Sequence, residues 1–415
     1  MLIQRAFYVI IITMREFQLK NGILVGYKPN PNTPRIALAF NVAINKEEQI
    51  AGTHSLLCRL LQQGTTTYSS EKLANILDEN AIEFSTEMKQ DYLSFRFVCL
   101  NEDFSLALKI LEDVVKNSTF EEFDKEVQKI KGEYSAELDS NKSKVSDEFI
   151  KTVYSEHMYG NTYTRILDNI DKVTQQMVVD LYKEILLTGN KVVSVVGDIS
   201  IDNLDKMLNE TLATLENPPA EANMLPVPVL TEQKVSEIIK DDAQQAQILQ
   251  GWLVPTVESE EYPAIAVMNT ILGSSGLSSR LFLELRDKKG LAYTVRSAYR
   301  SFGKSALFHI YIGTEPKNIE VSLQGFKEEI DKIKSIPVEL EELESAKNNL
   351  FGKQQFISET NSQQANLAGH YAILGLGFDF QDSVTEKIKS VTSQDIMDVA
   401  NKYLDDKYVL TMIKP

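Results

Sequence analysis

The sequence predicts an α+β fold made of two homologous domains, each a mainly antiparallel sheet covered by helices. Three observations predict it: a long internal repeat, a proline-rich break between its copies, and strands of period-two patterning that alternate with long amphipathic helices. In the repeat, "NIDKVTQQMVVDLYKEILLTGNKVVSVVGDIS" (169–200) and "KIKSVTSQDIMDVANKYLDDKYVLTMIKP" (387–415) share a Val-Thr-x-Gln start, a helix, a short break and an apolar strand. Val173 and Thr174 recur as Val391 and Thr392, 391 − 173 = 218 residues later. Each threonine is a natural N-cap, because its side-chain oxygen can accept from the first free helical N–H groups.

Taken in order, "REFQLKNGILVGYKPN" opens the first strand, with Met14 as a candidate start of the chain. Over 51–64, Thr53 is the expected N-cap and Gly64 the expected C′ residue. Leu56, Leu57, Leu60 and Leu61 form the apolar stripe of the helix between them. "DYLSFRFVCLNEDFSLALKILEDVVKNSTF" (91–120) reads as an alternating strand, an acidic turn and a helix, and "ALFHIYIGTEPKNIEVSLQGFKEEIDKIKSIPV" (306–338) repeats that plan in the second half. Between the halves, "LENPPAEANMLPVPVLTEQ" (215–233) has four prolines and no regular period, so it reads as a linker. The boundary is placed near residue 222, giving domains 14–222 and 223–415. The period-two strands imply one-sided burial, with helices over one face of each sheet.

Composition narrows the function. With 43% hydrophobic and 25% charged residues, the 415-residue chain is of ordinary globular composition and long enough for two cores. Its net charge of −16 repels phosphate backbones and anionic lipid surfaces, so neither nucleic acid nor a membrane is an expected partner. Two cysteines, Cys58 and Cys99, give no disulfide framework and suit a reducing, cytoplasmic setting. The apolar run Ala6–Ile12 is too short for a membrane span and lacks a cleavage signal.

The stretch Gly52-Thr53-His54-Ser55-Leu56-Leu57-Cys58, with "LLQQGT" and "SSEKLANILDENAIEFSTEM" after it, resembles the pitrilysin and insulinase-type zinc peptidases, in the branch that includes mitochondrial processing peptidase. Their motif there is H-x-x-E-H: two histidines one helical turn apart grip zinc, and the glutamate between them activates water. Here only His54 is kept. The glutamate position is Leu57, which cannot take a proton, and the second histidine position is Cys58. The resemblance puts the third ligand, a glutamate on a later helix, at Glu133 within "FDKEVQKIKGEYSAEL" (123–138). A thiolate can bind zinc, so a rebuilt set of His54, Cys58 and Glu133 is chemically conceivable, but without a base it has no means to activate water. The expectation is that this chain binds no metal and no other cofactor. His157, His309 and His370 lack metal-like spacing and are expected in structural roles.

The second half keeps what the first has lost. "LGSSGLSSRLFLELRDKKGLAYTVRSAYRSFG" (272–303) reads as a loop, a helix from Ser278 or Ser279 to the stop at Gly290, and a strand. It resembles the C-terminal hallmark of the same family, in which an arginine and a tyrosine seven residues apart face the zinc site. Those positions are Arg286 and Tyr293. An arginine stays charged and a tyrosine hydroxyl donates without ionising, so the two suit a peptide carbonyl or a developing oxyanion. The resemblance therefore implies the non-zinc subunit of a two-chain metallopeptidase. Such a subunit is inactive alone and pairs with a zinc-binding H-x-x-E-H homologue around a peptide, and a homodimer of the isolated chain is left open by the residues. The alternative is a catalytically inactive peptide-binding or assembly protein of the same fold.

Overall fold

The computed structural model describes residues 14–219 and 227–415. The boundary expected near 222 and the apolar run Ala6–Ile12 lie outside the described residues. The first sheet holds β1 (Arg15–Gln18), β2 (Leu24–Pro29), β3 (Arg35–Ala43), β4 (Glu83–Met88), β5 (Tyr92–Leu100) and β6 (Lys191–Gly197). They lie in the order β1-β2-β6-β3-β5-β4. The second sheet holds β7 (Lys234–Ile239), β8 (Ala246–Val254), β9 (Ala292–Ser301), β10 (Ala306–Thr314) and β11 (Val409–Lys414), in the order β7-β11-β8-β10-β9. All neighbours are antiparallel except β2 with β6 and β7 with β11, so even the parallel pair is duplicated.

The repeat seen in the sequence is the repeat of the fold. The helices Gln175–Thr188 and Ser393–Tyr403 begin after Thr174 and Thr392, whose side chains accept from the N–H groups of Met177 and Asp395. Asp395 returns a bond to the Thr392 N–H at 2.8 Å, closing a capping box. These helices feed β6 and β11, the strands that join each half's late chain to its first strands.

Burial departs from the one-sided expectation. Every residue of β6 is buried, as are all but the first of β3. On β3, Ile36, Leu38, Phe40 and Val42 enter the core made with the helices of their own half. Ala37 and Ala43 meet Ala365, Ala368 and Ala372 of the helix Asn361–Ile373, which comes from the other half. Small residues on both surfaces let the helix lie close, and a Cβ on Gly369 would stand 2.7 Å from the side chains of Asn41 and Ser194. The second sheet receives the reciprocal helix, Asn141–Val153. Its Phe149 wedges onto β8, where a Cβ on Gly251 would lie 2.6 Å from the Phe149 ring. Each half therefore covers the second face of the other half's sheet. Period-two patterning cannot report this, because a small buried alanine and an exposed polar residue both interrupt a run of large apolar residues.

A polar knot ties the halves between these helices. The buried Asp91 accepts from the Gly303 N–H at 2.8 Å and from the Tyr159 hydroxyl, and Tyr154 donates to Ser305 Oγ at 3.1 Å. Among the described residues, no helix is long and apolar enough to cross a membrane.

Phe149 is the largest anchor of the exchanged helix, and emptying its site leaves a cavity that Gly251 cannot fill. Phe149→Ala is expected to lower the unfolding free energy by about 3–5 kcal/mol, measured as the urea midpoint. A loss below 1 kcal/mol contradicts the anchoring role.

Candidate functional site

The helix carrying the degenerate motif spans Thr53–Leu60. Gly52, at φ 108°, is its N-cap, and Thr53 is the first helical residue rather than the cap that sequence suggested. The reason is Glu48, whose buried carboxylate accepts the His54 N–H at 2.7 Å and takes over the capping. Thr53 Oγ1 is thereby free to donate to the Ile50 carbonyl at 2.8 Å. Leu56, Leu57 and Leu60 are fully buried and fix the helix on the core. Glu48 was not singled out in the sequence, since a carboxylate six residues before a motif resembles any solvated loop charge.

The ligand positions have separate lives. His54 is buried with Nδ1 3.7 Å from the Glu48 carboxylate, and burial lowers its pKa more than that carboxylate raises it. Its Nε2 is buried without a hydrogen-bond partner. Cys58 Sγ lies 3.6 Å from Thr86 Oγ1 of the edge strand β4, and burial raises the thiol pKa, so it is no ready thiolate. Glu133, on the helix Phe123–Asp139, is exposed and paired with both terminal nitrogens of Arg59. Arg59 also stands 3.8 Å from the buried Glu126 of the same helix. With Leu57 apolar, the Cys58 thiol protonated and Glu133 held by Arg59, these residues do not fit zinc. Among the described residues, no group of three or more His, Cys, Asp or Glu side chains could hold a metal.

The arginine and tyrosine do meet. Within the helix that the sequence suggested, the segment Phe282–Lys288 is wound as a π-helix, and Gly290, at φ 61°, follows its end. In that winding the Arg286 guanidinium lies between two rings, 4.5 Å from the centre of Phe282 and 4.7 Å from that of Tyr293. Arg286 also donates to the Tyr293 carbonyl at 2.9 Å, tying the helix to the first residues of β9. Tyr293 is 79% exposed. The pair forms a preformed donor surface of one fixed cation and one phenol, open to solvent. π-Helical turns recur at functional segments, and Arg286 and Phe282, four residues apart, stack on one side of this one.

The duplicated fold, the altered zinc helix and the arginine–tyrosine pair define a peptidase-like chain in which, among the described residues, the three family ligand positions are not brought together as a zinc-binding set. Two family models match it: Insulinase (Peptidase family M16) over residues 23–167, and Peptidase M16 inactive domain over residues 172–350. The chain belongs to the M16, or insulinase, peptidase family. A protein of Bacillus subtilis (strain 168) named uncharacterized zinc protease YmxG is 24% identical over 408 residues, 97% of this chain and 98% of that one. Among solved structures, a protease from Helicobacter pylori matches with a TM-score of 0.88 at 20% identity, covering 98% of this chain and 100% of the other. The peptidase M16 inactive domain from Pseudomonas fluorescens matches with a TM-score of 0.87 at 20% identity, covering 97% and 98%. At these identities the structures show a shared fold.

His370, on the exchanged helix, receives its Nδ1 contact from the Tyr92 hydroxyl at 2.9 Å. Burial first, and then Lys89, lower its pKa to about 4, and His309 is likewise held at about 4 by burial and by Arg296 and Arg300. An unfolded histidine takes up its proton near pH 6.5, whereas these remain neutral in the folded chain down to about pH 4. Their neutral forms therefore support folding above pH 6.5, and that support is lost as the pH falls from 6.5 towards 4. The urea midpoint should drop across this window, and His370→Gln should flatten the slope. An unchanged slope in the variant contradicts the assignment.

Proposed function

We propose that this chain is the non-zinc subunit of a two-chain M16 peptidase, inactive alone, which holds a peptide for hydrolysis by a partner chain carrying an intact H-x-x-E-H motif. One paired observation carries the reading: the base and second histidine positions are Leu57 and Cys58, while Arg286 and Tyr293 stay together and open to solvent. The partner would supply the metal and the base.

The work of this chain is then positioning and charge stabilisation. The Tyr293 carbonyl and the two flanking rings hold the Arg286 guanidinium in place, so little is spent on ordering it when a peptide arrives. Its other N–H donors have no protein partner among the described residues and can meet a peptide carbonyl. The exposed Tyr293 hydroxyl adds a second donor. A fixed cation and a phenol gain most against the transition state, where negative charge builds on that oxygen. Two edge strands, β4 and β9, offer open ladders on which an extended peptide can lie.

A second reading, a peptide-binding or assembly protein without catalytic duty, has one observation in its favour. Arg286 is already bonded and stacked within its own segment and so has a structural task.

The two readings separate in the assembled complex. If Arg286 and Tyr293 act on the peptide, Arg286→Ala and Tyr293→Phe each lower kcat about 10²-fold, the scale of one lost oxyanion donor. Arg286→Lys should recover part of the loss, and gel filtration should show the complex intact. An unchanged kcat in both variants removes the catalytic role and leaves the scaffold.

A further inference from the structure

β9 is an edge strand, and its two faces differ in character. Val295 and Ser297 are buried against the helices of their own half. Arg296 and Arg300 share the opposite face, four residues apart, with Ala298 between them opposite His309 in the register. Both arginines are exposed, and both lie beside an aromatic ring: Arg296 is 5.9 Å from the centre of Tyr311, and Arg300 is 4.8 Å from that of Phe302.

Neither has an acidic partner. Among the described residues, the arginines in ion pairs are Arg59, Arg96 and Arg280. The phenols of Tyr154 and Tyr163 lie close enough to act on the charge of Arg300, and no carboxylate pairs with it among the described residues. The uncompensated charge is felt nearby, since both arginines help to hold His309 neutral. Arg300 lines a cavity of about 670 Å³ between the halves, whose far wall carries Arg96, Lys89 and Glu87. There Glu87 serves both cations at once, so the wall has cations in excess of its one paired carboxylate. The second carboxylate on the lining, Asp91, is occupied by Gly303 and Tyr159. In a chain of net charge −16, this surface stands out in sign.

We propose that Arg300, with Arg296 beside it, is a recognition site for acidic side chains of an extended peptide lying along β9. The spacing sets the pattern. Positions four residues apart on a strand are separated by about 13 Å on one face, so each arginine takes its own carboxylate, and the preferred peptide has acidic residues at i and i+4. An arginine fork meets a carboxylate with two parallel N–H···O bonds, which a glutamine cannot match. The overall negative charge of the chain would suggest basic peptides. The local surface selects the opposite, because charges beyond a Debye length are screened and those in contact are not.

This inference rests on the peptide-binding reading above, and its test separates the two. Short fluorescent peptides, acetylated and amidated so that only side chains carry charge, would be titrated into the full chain. They would differ at i and i+4: Glu and Glu, Gln and Gln, or Lys and Lys. The Glu peptide should bind about tenfold tighter than the Gln peptide, the scale of one hydrogen bond to a charged group, and the Lys peptide should bind weakest. Arg300→Gln and Arg296→Gln should each reduce the difference, the double substitution should abolish it, and Arg300→Lys should keep part of what Arg300→Gln loses. Equal affinity for the Glu and Gln peptides, or a preference undiminished by the double substitution Arg296→Gln/Arg300→Gln at an unchanged melting temperature, overturns the site and leaves peptide binding standing. No binding of any peptide overturns both.

Discussion

The exchange of one helix between the halves is the constraint on which the rest of this molecule depends. A sheet with helices on one face leaves the other face to be satisfied, and here each half satisfies the other's. Asn361–Ile373 lies on the first sheet and Asn141–Val153 on the second. The contacts are of two kinds. On the first sheet, alanines and Gly369 allow close backbone approach; on the second, the Phe149 ring fills the space that Gly251 leaves open. Neither half has its full complement of buried surface without the other, so the orientation of the halves is a product of core packing rather than of a flexible joint.

That packing explains how the helix Thr53–Leu60 is held in place with Leu57 and Cys58 at the positions where the family motif has its base and second histidine. Leu56, Leu57 and Leu60 tie Thr53–Leu60 to the core, and the Glu48 carboxylate caps it. Arg59 reaches from it to Glu126 and Glu133, so the carboxylate at the third-ligand position now joins two helices. Replacing a base by leucine is costly to catalysis and favourable to packing. Arg286 and Tyr293 stand in the reverse situation: they are held by stacking and one carbonyl, at the surface, where packing alone makes little demand for an arginine sandwiched between rings.

Much of this was legible in the residues. The Val-Thr-x-Gln repeat gave the duplication and both N-caps, because a capping threonine acts over three residues and leaves a local signal. The seven-residue spacing of Arg286 and Tyr293 was equally plain, and the two side chains are in contact. Other features depend on contacts distant in sequence. The exchanged helices look like any amphipathic helix until their partner sheet is known, and the capping by Glu48 displaced Thr53 from the role its residue type suggested. The π-winding of Phe282–Lys288 has no composition of its own. The pairing of Glu133 with Arg59 needed the distance between two helices separated by some seventy residues of chain. The unpaired Arg296 and Arg300 are conspicuous only once the carboxylates of an acidic chain have been matched to their partners.

The central claim is a division of labour between two chains, and it is tested most directly by following peptide hydrolysis with zinc present in three samples: this chain alone, an H-x-x-E-H homologue alone, and the two mixed. The account predicts turnover in the mixture and none from this chain by itself. Chelator-sensitive hydrolysis by this chain alone would contradict it, as would an inactive mixture in which the two chains still associate.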